Sequence, residues 1–219
     1  ERHDGQAATC EDFITAIEDG AVLGAHCIWL SEDDRRILAH TGVSVSYTPE
    51  CHMKLALGVA PVVRFLAEGV AVSLGTDTCA VNDNMDMFEE MRSGLFLQRI
   101  ANMDAFALSA YQALEMATLG GARALGMARE IGSLEPGKKA DLILVNLEGV
   151  HLRPINSIVN NLVYAAHASD VETVLVDGRI VVENGRVCGL DEGEAIDAAE
   201  AYALQRRQPP AVGVPYAKE

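Results

Sequence analysis

Apolar and polar positions change period along the first 130 residues, predicting helices and strands in turn. Thr9 with Asp12 marks a helix start, and "CEDFITAIEDG" keeps helical spacing to a stop at Gly20. The apolar "AVLGAHCIWL" follows. Ser31 and Asp34 repeat the capping spacing, so "EDDRRILAH" predicts a helix that Gly42 ends. "VSVSY" predicts a short strand, "TPECHMKLALG" a polar loop, and "PVVRFLAEG" another helix after Pro61. In "VAVSLGTDTCAVNDN", residues 70–76 predict a strand buried on both faces that delivers a carboxylate, Asp77, at its end. "MDMFEEMRSGLFLQRIA" and "SAYQALEMATLGGARAL" complete the series as two helices, with Asn82 and Asp83 expected to cap the first and Met85, Met87 and Met91 to fill core.

Such alternation argues a parallel sheet with helices outside it. Ligands of parallel α/β folds gather at the carboxyl ends of the strands. Here those ends carry His26, Thr48 and Asp77.

Beyond residue 130 the pattern changes. "IGSLEPGKKADLILVNL" and "VETVLVDGRIVVENGRV" are β-rich, with turn signals at Pro136-Gly137, Asp177-Gly178 and Asn184-Gly185. They define a small β-rich unit over 131–189. Residues 190–219 hold a last helix, "DEGEAIDAAEAYALQRR", with acids first and arginines last as the helix dipole favours, and a tail after Pro209-Pro210.

Composition removes several function classes. A net charge of −15 with 17 Lys and Arg disfavours nucleic acid and anionic membrane. No apolar run approaches the roughly 20 residues of a membrane span. The polar start, "ERHDGQAATCEDF", is unlike a signal peptide, and there is no initiator Met, so a processed or partial chain is expected. The five cysteines are scattered and never form C-x-x-C, which fits free thiols in a reducing cytoplasm.

Taken alone, Asp77 is either a turn or cap residue or a metal ligand and general base. His26, in "GAHCIWL", is either a hydrogen-bonded core histidine or a catalytic group. Cys27 and Cys79 are read as packing.

Together, "GAHCIWL", "SYTPECHMKLALGVAPV" and "VSLGTDTCAVNDNMDMFEEMR" resemble three successive strand ends of the amidohydrolase superfamily, nearest its methylthioadenosine/S-adenosylhomocysteine deaminases and triazine chlorohydrolases. "IGSLEPGKKADLILVNL" and "VETVLVDGRIVVENGRV" resemble that family's exit from the barrel and its sandwich hairpin. The resemblance implies an α/β fold: the C-terminal part of a (β/α)8 TIM barrel, strands six to eight, in residues 1–130, plus a small β-sandwich portion. It implies one divalent metal, zinc or iron, bound by an H-x-H pair, a fifth-strand His and an eighth-strand Asp. Asp77 matches that Asp, and His26 the sixth-strand His that faces the attacking water. The implied reaction is hydrolytic deamination of an amino-substituted N-heterocycle, a purine, pterin or related small molecule. A chlorohydrolase, a cyclic amide hydrolase and a non-catalytic remnant of the fold are the alternatives. The oligomeric state is left open, a homo-oligomer being compatible.

The departures matter equally. No H-x-H occurs in the 219 residues, so one of four family ligands is present, and the chain is expected to be the C-terminal half of a longer enzyme, inactive alone. Tyr47-Thr48-Pro49 stands where the close deaminases carry H-N-P, and Val81 where they carry Ser. Both point away from a typical adenosine-derivative pocket. Glu50 and His52 are the candidates for contact with a substrate ring. A dinucleotide-binding oxidoreductase is disfavoured, since no G-x-G-x-x-G follows a strand.

Overall fold

The structure is a computed structural model that describes residues 22–206. The helix expected over 9–20, the tail after Pro209, and His3 and Cys10 lie outside the described residues.

Three strands, β1 (Leu23–Ala25), β2 (Ser44–Tyr47) and β3 (Val72–Leu74), form a parallel sheet in that order. Leu23 lies opposite Ser44, and Val45 opposite Val72. β3 is buried along its length, as its apolar run requires, whereas β1, at the opposite edge of the sheet, leaves Leu23 exposed.

Helix α1 (Glu32–Thr41) connects β1 to β2. Ser31 Oγ accepts the Asp34 N–H at 3.1 Å and Asp34 Oδ2 accepts the Ser31 N–H at 2.9 Å, the capping box the sequence predicts. Gly42 ends the helix in the left-handed region. The segment read as a polar loop contains helix α2 (Pro49–Lys54). Its signals were local but short: Pro49 at the first position, Glu50 in the first turn, His52 and Lys54 in the last. Helix α3 (Val62–Ala67) leads to β3, burying Val62 and Phe65.

After β3 come the short α4 (Cys79–Asn82) and the long α5 (Met87–Asn102). The cap of α5 is Asp86, whose Oδ1 accepts the Phe88 N–H at 2.8 Å, and not Asn82 or Asp83 as expected. Phe88, Met91 and Leu95 face the core from α5; Met87 packs partly against it, while Met85 is exposed. The next predicted helix is continuous but changes pitch: α6 (Ala110–Glu115), a π-turn (Met116–Gly120) and α7 (Gly121–Ala124). A Cβ on Gly120 would lie 2.7 Å from Val72 O, so only glycine lets this turn press against β3.

The second sheet is antiparallel: β4 (Leu142–Val145), β5 (Val171–Val176), β6 (Arg179–Glu183) and β7 (Arg186–Val187). The two segments read as β-rich therefore share one sheet. Asp177-Gly178 and Asn184-Gly185 all have positive φ, as tight hairpin turns require. Between β4 and β5 lies helix α8 (Ile158–Tyr164), which the β-rich pattern of its surroundings did not suggest. It packs on α5 and α6, tied by Arg92 donating to Ala166 O at 2.6 Å and Arg99 donating to Tyr164 Oη at 2.7 Å. Helix α9 (Glu192–Arg206) follows the sheet. Among the described residues, no helix is long and apolar enough to cross a membrane.

Candidate active site

The ends of the three parallel strands converge. The His26 N–H donates to Ser46 O at 3.0 Å, extending the β1–β2 ladder by one residue before the chain turns. His26, Cys27 and Asp77 all have positive φ, at 66°, 47° and 62°. For residues with side chains this conformation costs on the order of 1–3 kcal/mol and persists only where the surroundings impose it. Beside them, a Cβ on Gly75 would lie 2.9 Å from Ser46 Oγ, so the glycine allows β3 to end close against β2.

His26 uses both ring nitrogens. Nδ1 lies 2.9 Å from Thr48 Oγ1 and 3.1 Å from His52 Nε2, and those two atoms are 3.0 Å apart. Nε2 lies 3.5 Å from Asp77 Oδ2. Asp77 Oδ1 accepts the Thr78 N–H at 2.7 Å, and the Cys51 thiol donates to the same carboxylate. The Cys51 hydrogen bond, the Thr78 N–H and the two imidazoles hold the Asp77 pKa below the usual carboxylate value, against the opposing effect of burial. Burial, with His26 beside it, pushes His52 down to about 4, so His52 is neutral at pH 7. Its Nδ1 is buried without a hydrogen-bond partner.

Donor atoms of His26, Cys51 and Asp77 lie within 4.8 Å of one another. Ligands of one tetrahedral zinc ion are about 3.3–3.8 Å apart, from bond lengths of about 2.0–2.3 Å. The 3.5 Å between His26 and Asp77 matches that spacing, and imidazole, thiolate and carboxylate are the donors zinc takes. The residues present fit a divalent metal.

A second acidic group lies beside this one. Glu90, 0% exposed, accepts from Asn82 Nδ2 at 2.6 Å through Oε1 and from the Glu50 N–H at 3.3 Å through Oε2. Glu50 accepts from Ser93 Oγ at 2.9 Å and from Asn82 at 3.4 Å. Burial pushes the Glu90 pKa up to about 8 with Glu50 adding to it, while the hydrogen bonds from the Glu50 backbone and Asn82 oppose the shift. Burial likewise raises Glu50.

Of the four residues singled out in the sequence, the structure joins His26 and Asp77 directly. His52 is 1% exposed and stands behind His26, and Glu50 belongs to the neighbouring acid pair. The sequence reading missed Cys51 and Glu90. A cysteine in the first helical turn after a strand end was a usable signal for Cys51. Nothing local marked Glu90, whose partners come from α2 and α4. Asp86, Glu89 and His167 form another potential donor group, but both Asp86 oxygens are engaged, one as the α5 cap and one by the Ala168 N–H at 2.8 Å. A surface cavity of about 290 Å³ lined by His151, Arg153, Asn160 and Tyr164 is separate from the strand ends.

Comparison with known proteins agrees with this architecture. The model of the Amidohydrolase family matches residues 3–181, and the chain belongs to that family. It is 50% identical over 182 residues to a 5-methylthioadenosine/S-adenosylhomocysteine deaminase of Syntrophomonas wolfei, covering 83% of this chain and 42% of the relative. It is 48% identical over 182 residues to a 5'-deoxyadenosine deaminase of Methanosarcina mazei, with the same coverage of 83% and 42%. Among solved structures, an adenosine deaminase from Xanthomonas campestris with bound zinc superposes with a TM-score of 0.82 at 36% identity, covering 84% of this chain and 42% of that one. An atrazine chlorohydrolase from Arthrobacter aurescens complexed with zinc gives 0.76 at 28% identity, covering 82% and 40%. The chain thus spans about 42% of the length of the curated relatives it matches.

Proposed function

We propose that this chain is the C-terminal part of a metal-dependent aminohydrolase acting on an amino-substituted purine of the adenosine type. In this reading β1 to β3 are strands six to eight of a (β/α)8 barrel, ending near residue 130. The antiparallel strands belong to a β-sandwich portion over 131–189, with the last helix and tail beyond. The observation that carries the reading is the approach of His26 Nε2 to Asp77 Oδ2 at 3.5 Å, at the carboxyl ends of parallel strands. The shape agreement with a deaminase and the names of the sequence relatives support it. The same relatives favour an adenosine-type ring despite Tyr47 and Val81. The zinc in both structural neighbours favours zinc over iron.

Asp77 would hold the metal, which when bound lowers the pKa of water toward 7. The Asp77 carboxylate, kept ionised by its donors, takes the water proton and carries it to the departing amine. His26 faces the carbon under attack and stabilises the oxygen that develops charge there. Thr48 and His52 fix its ring through Nδ1. His52, fully buried, acts through His26 and not on the substrate. Glu50, half-buried beside Ser93, is assigned to the substrate side. The place of action is the cytoplasm.

The test uses the complete enzyme that carries this sequence. It should release ammonia from 5'-methylthioadenosine, S-adenosylhomocysteine, 5'-deoxyadenosine or adenosine, and lose that activity in Asp77→Asn. Release of chloride from a chlorotriazine without ammonia from any nucleoside would replace deamination by the chlorohydrolase alternative. Unchanged deamination in Asp77→Asn would refute the role of Asp77.

A further inference from the structure

Glu90 takes no part in the chemistry described so far, yet it is an acid with 0% exposure on α5, bonded to both segments that leave β2 and β3. Its Oε1 accepts from Asn82 Nδ2 at 2.6 Å, and Asn82 ends α4, the helix that follows Asp77. Its Oε2 accepts the Glu50 N–H at 3.3 Å, in the first turn of α2 after Thr48. The same cluster holds the Glu50 side chain. Asn82 Nδ2, which carries two hydrogens, also lies 3.4 Å from Glu50 Oε2. Ser93, three residues beyond Glu90 on α5, donates to Glu50 Oε1 at 2.9 Å. Each Glu50 oxygen thus receives one donor from the protein and keeps a lone pair for another.

Stability alone does not call for this arrangement. Two carboxyl groups set close together out of water disfavour each other's ionised form, and Glu50 adds to the upward shift of Glu90. What the acid supplies is direction, because it anchors Asn82 and the α2 backbone at once, and these fix the Glu50 carboxylate. We propose that Glu90 is a positioning residue for substrate binding: it holds Asn82 and the start of α2 so that the Glu50 carboxylate meets an O–H or N–H donor of the substrate. This role rests on the assignment of Glu50 to the substrate side. Glu90 itself touches neither the substrate nor the reacting atoms. Its loss therefore weakens binding and leaves the chemical step at Asp77 and His26 in place.

The test is steady-state deamination by the complete enzyme of 5'-methylthioadenosine or adenosine, whichever it turns over, with zinc content measured on every variant. Glu50→Gln should raise KM about tenfold, because it exchanges a charged acceptor for an amide. Glu90→Gln keeps the shape but turns one acceptor into an amide NH₂ that faces the N–H of Glu50 or of Asn82. KM should again rise about tenfold, with kcat within about twofold and zinc unchanged. The double variant should be no worse than Glu50→Gln alone, since both changes remove one interaction. Ser31→Ala, which weakens the remote α1 cap, should leave KM unchanged; a matching rise there would assign the effect to stability and overturn the proposal. If Glu90→Gln does not accumulate as folded enzyme, Asn82→Ala cuts the same link and takes its place with the same expectation. A raised KM in Glu50→Gln with none in Glu90→Gln, or additive effects in the double variant, overturns the role of Glu90 and leaves Glu50 on the substrate side. An unchanged KM in Glu50→Gln removes Glu50 from the substrate side and the role of Glu90 with it. A Glu90→Gln enzyme that loses zinc, or loses kcat at unaltered KM, also overturns the proposal.

Discussion

His26 Nε2 and Asp77 Oδ2 lie 3.5 Å apart although their strands are not neighbours, since β2 separates β1 from β3. Strands two places apart are about 9.5 Å distant, so the two side chains must bend toward each other across the end of β2. The positive φ of both residues turns them that way, and Thr48, at the end of β2, receives the His26 ring. The convergence therefore depends on the backbone of three strand ends as much as on side-chain identity.

The packing of the π-turn against β3 is the first point of test. Gly120→Ala would place a Cβ 2.7 Å from Val72 O and 3.0 Å from Glu115 O, both backbone atoms that cannot move aside alone. Urea denaturation should show a loss of about 1–3 kcal/mol. An unchanged midpoint would mean that the turn does not press on the strand.

Helix α1 offers a milder test. Ser31→Ala removes an exposed capping box and should cost about 1 kcal/mol, without altering the site. Thermal unfolding should register it as a small drop in Tm.

Glu90 should make stability depend on pH. Its folded pKa, about 8, lies above the ordinary glutamate value of 4.5, so the folded protein binds a proton that the unfolded chain releases. Stability on this account is full below pH 4.5 and falls as pH rises toward 8, by on the order of a few kcal/mol. Glu90→Gln should flatten the urea midpoint across that window. A variant retaining the full slope would assign it to other groups.

Gly178, at φ +76° in the β5–β6 turn, belongs to the sheet that contributes no donor to the strand ends. Gly178→Ala should lower stability by about 1 kcal/mol. Turnover per folded molecule of the complete enzyme should stay the same. Full stability with abolished turnover would bring this sheet into the active site.

Local signals made much of the fold legible. Ser31 with Asp34 and Gly42 marked both ends of α1, and the apolar run before Asp77 marked a strand buried on both faces. Taken alone, Asp77 and His26 each admitted a structural reading, and it was the resemblance of the three strand-end segments to the amidohydrolase family that singled them out. What stayed hidden depends on contacts between distant segments. Asp86 and not Asn82 caps α5 because Asn82 ends α4, where its Nδ2 donates to Glu90 and Glu50 and its Oδ1 accepts the Met85 N–H. Glu90 looked like any helical surface acid until Asn82 and the Glu50 backbone were brought onto it. Helix α2 was lost because six residues with three polar positions carry too little periodicity to separate helix from loop.

The most direct measurement is the metal content and ammonia release of the complete enzyme with Asp77 changed to Asn. The side chains are nearly isosteric, so the fold should survive. Metal binding should weaken and deamination of the adenosine-type substrate should fall by several orders of magnitude, each tenfold being about 1.4 kcal/mol of lost transition-state stabilisation. A folded Asp77→Asn enzyme with full zinc and undiminished turnover would contradict the account.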